Sequence, residues 1–330
     1  MVTIKEVAKR AGVSTSTVSR TLSGNIFVNK DTKKKVIKAV NELGYSPNVL
    51  AKGLKEGKTN TIGLIIPNIK NPIFPAIVKG VEETARKNGF IIILCNTDEN
   101  IDNEKEIINT LEKRWVDGFI FATASSDLNH ICKIKEDKFP LVLLVRSGED
   151  KFDSVVTNNF EASYKAVRYL IQRGHKKIAI INGDINLSLY RERYEGYKKA
   201  LLDSGLEIPS EMSFCCSFEN KECYIKTTDL LKSNIIPDAI FATNDLRAIE
   251  AIRAIKDLGL KVPEDISVLG FDNIQISSFI DPTLTTVSQP FYKMGEVAVK
   301  KLIKIISYKR NRKPKKDVIK SELVIRNSTR

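Results

Sequence analysis

Apolar positions change their period once along this chain, near Thr61. Before it they recur at helical spacing. Val7, Ala8, Val13, Val18 and Leu22 can form a small seam between two short helices, roughly Ile4 to Arg10 and Thr15 to Leu22. Thr3 and Glu6 have the spacing of a reciprocal capping box, Ala11-Gly12-Val13 supplies a turn, and Ser14 suits the cap of the second helix. Asn29 suits the cap of a third helix reaching Leu43, with Val36, Ile37, Val40 and Leu43 at helical spacing and Gly44 placed to end it. The stretch Tyr45 to Asn60 is a linker. A helix over Asn48 to Leu54 would be weakened by Gly53 and frayed when alone.

From Thr61 continuous apolar runs alternate with helical patterns. The runs are TIGLIIP, FIIILCN, GFIFAT, PLVLLV, SVVTN, KIAIING, SFCCS, AIFATN and ISVLGFD. The helices between them are predicted over 73–88, 103–113, 128–135, 160–173, 189–204, 219–233 and 245–258. Unbroken apolar strands between amphipathic helices mean parallel sheets covered on both faces. There are too many for one ordinary sheet. Two doubly wound lobes fit, dividing near Asn158 to Ala162. The fold class is therefore an all-α helix-turn-helix headpiece followed by two α/β lobes with doubly wound parallel sheets.

Charge sharpens the first part of this picture. The chain of 330 residues carries a formal net charge of +13, and the first 60 positions hold 12 basic residues against 4 acidic ones. Most of the excess lies there, which points to a polyanionic partner for that segment. The outward positions of the second helix are Thr15, Ser16, Ser19 and Arg20, groups that read base edges and phosphates. Two helices joined by a tight turn, the second presenting such groups, have the anatomy of a helix-turn-helix. The five cysteines are scattered, and with two histidines no zinc spacing arises, so free thiols in a reducing, cytoplasmic setting are expected. No long apolar run suggests a membrane span, and no cofactor or metal is expected.

In the lobes, no phosphate-loop or dinucleotide fingerprint follows any strand, and no nucleophilic triad can be assembled. Polar side chains do collect at strand ends, where doubly wound folds bind ligands. They are Asn68, Lys70 and Asn71 after the first run, then Arg146, Arg191 with Arg193, Asn244-Asp245, and Asp272-Asn273. Phe74 and Phe218 could stack on a flat ligand face. Such a lining suits a sugar, or another polyhydroxyl or heterocyclic molecule. Asn244 equally suits the cap of the helix that follows it.

The chain resembles the lactose-repressor (LacI/GalR) family of bacterial transcription regulators along essentially its whole length. The pieces that carry this are TIKEVAKRAGVSTSTVSRTLSG, VNKDTKKKVIKAVNELGYSPN, IGLIIPNIKNPIF, AIFATND, VPEDISVLGFDN, DPTLTTVSQP and LVIRNST. The resemblance implies lobes of periplasmic-binding-protein type. It implies base reading by Thr15, Ser16 and Arg20, with Ser14, Thr17 and Ser19 at or near phosphate, and Asn29 and Thr32 touching the backbone. Thr3 is grouped with these as a DNA-binding position. It further implies that Asn48 to Leu54 is a hinge helix, with Lys52 where the family often has arginine and Leu54 as a wedge that opens a base step. Phe74, Arg146, Arg193, Phe218, Asn244 and Asp272 form the expected effector set. Asn68 and Lys70 depart from the family's usual Asp and Ser/Thr, and Tyr190 and Arg191 make the cleft entry bulky.

The expected division is 1–46 for the DNA-binding module, 47–60 for the hinge, and 61–330 for the effector and dimerisation part. Within the last, one lobe takes about 61–160 with 290–318 and the other about 161–289 with 319–330. The expected function is a homodimeric repressor of palindromic operator DNA controlled by a small effector, with a carbohydrate expected. One alternative is control by a protein corepressor such as a phosphorylated sugar-transport carrier. A remote one is an enzyme with an accessory DNA module.

Overall fold

The computed structural model describes residues 2–23, 27–45, 58–112, 116–122, 127–147, 151–208, 210–216, 221–233, 235–308 and 313–330. It falls into two compact units, Met1–Thr59 and Asn60–Arg330.

The described part of the first unit holds three helices, α1 (Ile4–Ala11), α2 (Thr15–Ser23) and α3 (Lys30–Leu43). The local signals act as read. Thr3 and Glu6 complete the capping box, and Gly12 and Gly44 end their helices in the left-handed region at φ 66° and 61°. The two hydrogen bonds from Thr3 hold the Glu6 carboxyl below its usual range. The core is Val7, Ala8, Ala11, Val18, Val36 and Ala39. Ile37 does not join it. It is exposed on a face shared with Lys33, Lys34 and Lys38, because Ala39 takes the inward position on that turn.

The second unit contains two six-stranded sheets with the same order of strands. The first is built from β1 (Thr61–Ile66), β2 (Ile91–Asn96), β3 (Gly118–Phe121), β4 (Leu141–Leu144), β5 (Ser154–Thr157) and β11 (Lys316–Ile319), in the order β11-β5-β4-β3-β1-β2. The second uses β6 (Ile178–Asn182), β7 (Ser213–Cys215), β8 (Ala239–Ala242), β9 (Ser267–Asp272), β10 (Thr285–Ser288) and β12 (Glu322–Val324), in the order β12-β10-β9-β8-β6-β7. Every pairing is parallel except β10 with β12. The helices are α4 (Phe74–Lys87), α5 (Ile101–Glu112), α6 (Asn129–Glu136), α7 (Asn159–Gln172), α8 (Ser188–Leu202), α9 (Glu222–Lys232), α10 (Asp245–Asp257) and α11 (Phe291–Tyr308). Each helix predicted from periodicity is present, with ends shifted by up to three residues. The stretch beyond Asp272, to which the apolar pattern assigned no element, supplies three strands and the longest helix.

The chain passes between the lobes three times, after β5, after β10 and after β11. Side chains at these passages bind one another. The Thr157 hydroxyl donates to Gln289 Oε1 at 2.7 Å, and the Ser321 amide donates to Asn158 Oδ1 at 2.9 Å.

Two glycines let α4 and α11 meet backbone to backbone. A Cβ on Gly80 would stand 2.1 Å from the Tyr292 carbonyl oxygen, and one on Gly295 would stand 2.5 Å from that of Ile77. Gly80→Ala should therefore force the pair apart at a cost of about 1–3 kcal/mol. A urea unfolding midpoint reads this directly, and an unchanged midpoint would show that the two helices separate freely.

Candidate nucleic-acid interface and ligand cleft

On the first unit, α2 presents Thr15, Ser16, Ser19 and Arg20 to solvent, while Val18 is fully buried beneath them. The Ser14 hydroxyl accepts from the Thr17 amide at 3.2 Å and bonds the hydroxyls of Ser16 and Thr17 at 2.8 and 2.9 Å. This chain of hydroxyls fixes the start of α2. Thr17 is half-buried, and its carbonyl accepts from the Thr21 hydroxyl. Thr3 is exposed and occupied by its capping box. Asn29 caps α3 by accepting from the Asp31 amide, and Thr32 is half-buried in the first turn. Asn48, Lys52 and Leu54 lie outside the described residues, as does Phe218.

On the second unit, the carboxyl ends of both sheets face a cavity of about 750 Å³. One lobe lines it with Asn68, Lys70, Phe74, Asp98, Glu99, Val145 and Arg146. The other contributes Asp184, Tyr190, Arg193, Cys216, Glu222, Asn244, Arg247 and Asp272, with Gln289 at a crossover. Arg193 sits at the centre of a buried network. Its Nε donates to Asn159 Oδ1 at 2.9 Å and its Nη1 to the Thr243 carbonyl at 2.5 Å. Nη1 also lies 3.8 Å from Asp272 Oδ1, and the guanidinium stacks 3.7 Å over the Phe271 ring. Gln289 donates to the same Asp272 oxygen at 2.5 Å. Arg247 donates from Nε and Nη2 to the Cys216 carbonyl, at 3.2 and 2.9 Å, and from Nη1 to the Tyr190 hydroxyl.

Residues 3–48 match the family described as bacterial regulatory proteins, lacI family, and residues 59–327 match periplasmic binding proteins and sugar binding domain of LacI family. The chain belongs to the LacI family. It is 39% identical over 328 residues to the HTH-type transcriptional regulator RegA of Clostridium saccharobutylicum, covering 99% of this chain and 98% of that protein. It is 37% identical over 332 residues to the HTH-type transcriptional repressor PurR of Pasteurella multocida, covering 100% and 99%. Among solved structures it is similar to a lac repressor dimer bound to operator and the anti-inducer ONPF, with TM-score 0.90, 27% identity and 99% of each chain covered. A complex of the transcriptional regulator CelR with cellobiose gives TM-score 0.77 at 28% identity, covering 99% of this chain and 100% of that one. This LacI-family chain is a DNA-binding transcription regulator, not an enzyme. Among its described residues no helix is long and apolar enough to cross a membrane.

Five of the six positions expected to hold an effector, Phe74, Arg146, Arg193, Asn244 and Asp272, line this cavity. Their availability differs. Phe74 is 3% exposed and mostly belongs to the core under α4. Asn244 Oδ1 accepts from the Arg247 amide, so the helix cap uses its oxygen and its amide N–H groups remain as donors. Arg191 is exposed and is not among the cavity's lining residues. Arg247 and Gln289 were missed because neither sits at the end of a predicted strand.

The expectation of free thiols is corrected. Cys216 and Cys223 form a disulfide, with Cα atoms 5.4 Å apart, between the end of β7 and the first turn of α9. Cys95, Cys132 and Cys215 are free. Sequence spacing could not show that a strand end and a helix start converge there.

Burial pushes the Asp272 carboxyl up to about 7. Arg193 opposes this and Asp245 adds to it, while Gln289 and Arg247 oppose it. Burial likewise pushes Asp245 up to about 6. The folded protein keeps protons on both groups that the unfolded chain sheds near pH 4. Their contribution to stability is thus fully present below about pH 4 and is lost as pH rises through about 6 and 7. Asp272→Asn should flatten the upper part of that decline in a pH series of urea midpoints. An unaltered slope would show that Asp272 does not carry it.

Proposed function

We propose that the chain is a cytoplasmic repressor that binds a two-fold operator as a homodimer, with affinity set by a small effector in the cleft between the lobes. The observation that carries this reading is the cavity at the carboxyl ends of both sheets, where Arg193, Asp272 and Asn244 converge. Support comes also from the exposed hydroxyls and Arg20 on α2. The likeness to an operator-bound lac repressor dimer and to CelR with cellobiose supports a dimer and a polyhydroxyl effector. Thr15, Ser16 and Arg20 choose the sequence. Ser14, Thr17, Ser19, Asn29 and Thr32 hold the backbone and give a steep salt dependence. In this reading the lobes act through residues 47–60, most of which lie outside the described residues. Effector binding changes how the lobes close and so whether the two hinges are held together on DNA. A coupling of roughly 1–3 kcal/mol suffices.

The test is operator affinity by fluorescence anisotropy, on an operator found by in vitro selection, with and without a panel of sugars and sugar derivatives. At least one compound should shift the affinity by about fivefold or more. Binding that no small molecule alters, but that a partner protein does, would turn the reading to a protein corepressor.

A further inference from the structure

Among the described residues three guanidinium groups line the inner cleft, and two of them are anchored by protein acceptors, Arg193 through Nε and Nη1 and Arg247 through all three nitrogens. Arg193 and Arg247 give their donors to Asn159, to the carbonyls of Thr243 and Cys216, and to the Tyr190 hydroxyl. Arg146 differs. Its Nη1 atom is out of contact with water and has no hydrogen-bond partner. Arg146 follows β4, directly after Val145, whose φ of 69° puts a β-branched residue in the left-handed region. That turn sets Arg146 on the cavity wall. Arg146 as a whole is half-buried, and the burial of this end of its side chain lowers the pKa of the guanidinium. Tyr190, Glu99, Glu104 and Asp184 act on it only from a distance, none forming an ion pair with it. Glu104 is taken by His130 at 2.7 Å, while Glu99 and Asp184 are exposed.

A buried donor without a partner costs about 1–3 kcal/mol, more when charged. A ligand that supplies the missing acceptor recovers this, and an anionic one also removes the uncompensated charge. We propose that the effector is a polyhydroxyl compound bearing an anionic group, a carboxylate or a phosphate monoester, and that Arg146 binds that group. This rests on the cleft being the effector site. A planar guanidinium suits either anion, because its paired N–H groups match two oxygens at once. Of the other carboxylates at the cavity, Asp98, Glu99 and Asp184 are exposed and screened by water and salt, and Glu222 is paired with Lys226 at 2.7 Å, so they oppose the anion weakly.

Isothermal titration of the full chain with matched compounds tests this. The pairs are glucose with gluconate and with glucose 6-phosphate, galactose with galacturonate, and ribose with ribose 5-phosphate. At least one anion should bind about tenfold or more tighter than its neutral parent. Arg146→Gln should reduce that ratio towards unity, and Arg146→Lys should retain part of it. The carboxylate and phosphate arms tell which anion is preferred. Neutral parents binding as well as the anions would overturn the proposal and leave the cleft reading standing. If no compound bound, the cleft reading would fail and the proposal with it. Thermal unfolding of the unliganded protein gives a readout independent of the panel. Arg146→Gln should unfold at or above the wild-type temperature, since a buried donor without a partner is removed. A clear fall would mean that Arg146 holds the lobe together, and that too would overturn the proposal.

Discussion

Arg20→Ala is expected to weaken binding at the cognate operator by about 1–3 kcal/mol for each half-site, while binding to unrelated DNA changes far less. Arg20 stands exposed on α2 beside Ser16 and Ser19, over a Val18 that is fully buried, so truncation leaves the helix in place. A guanidinium gains most from the two acceptors of a guanine edge, and its loss should relax choice at one base pair per half-site. Anisotropy against a set of single-base operator variants reads this. Uniform weakening across the whole set, with a shallower salt slope, would reassign Arg20 to phosphate contact.

The second large effect concerns Arg193→Met. The substitution removes the counter-charge of Asp272 from a site where both are almost wholly buried. Breaking such a pair costs about 3–5 kcal/mol when the remaining charge stays ionised. Asp272, already pushed up to about 7, can escape part of that by taking a proton. The loss should therefore be larger at about pH 8 than at about pH 6. Adding Asp272→Asn should return much of the stability at the higher pH, because the stranded carboxylate is gone. Urea midpoints at the two pH values decide. Equal losses, with no rescue, would show that the Arg193 bonds to Asn159 and Thr243 carry the site and that the ion pair contributes little.

What could be read from the sequence was what depends on near neighbours. The capping box at Thr3 and Glu6, the glycine stops at Gly12 and Gly44, and the apolar runs of β1 to β9 each act within a few residues. The strands β10 to β12 escaped because their character is not local. Thr285 and Thr286 are buried polar residues, satisfied by Ser328, Thr329 and Asp245 from far along the chain. Ile37 misled because α3 is narrow and Ala39 suffices for the core. In the cleft, strand-end polarity pointed to Arg146, Arg193, Asn244 and Asp272, but nothing in the spacing marked which of the arginines is anchored by protein acceptors. Arg247 depends on the Cys216 carbonyl and the Tyr190 hydroxyl, two partners that only the folded cleft brings to it.

The three passages between lobes have a consequence for synthesis. The helices of the first unit are complete once the first 45 residues have emerged. The effector unit is not, since both sheets wait for β11 and β12, and the buried Ser328 hydroxyl bonds the Val268 carbonyl and the Thr285 amide. A growing chain therefore carries its helix-turn-helix well before it can complete the cleft proposed to govern it. Chains cut short after about residue 310 should contain the reader without its control.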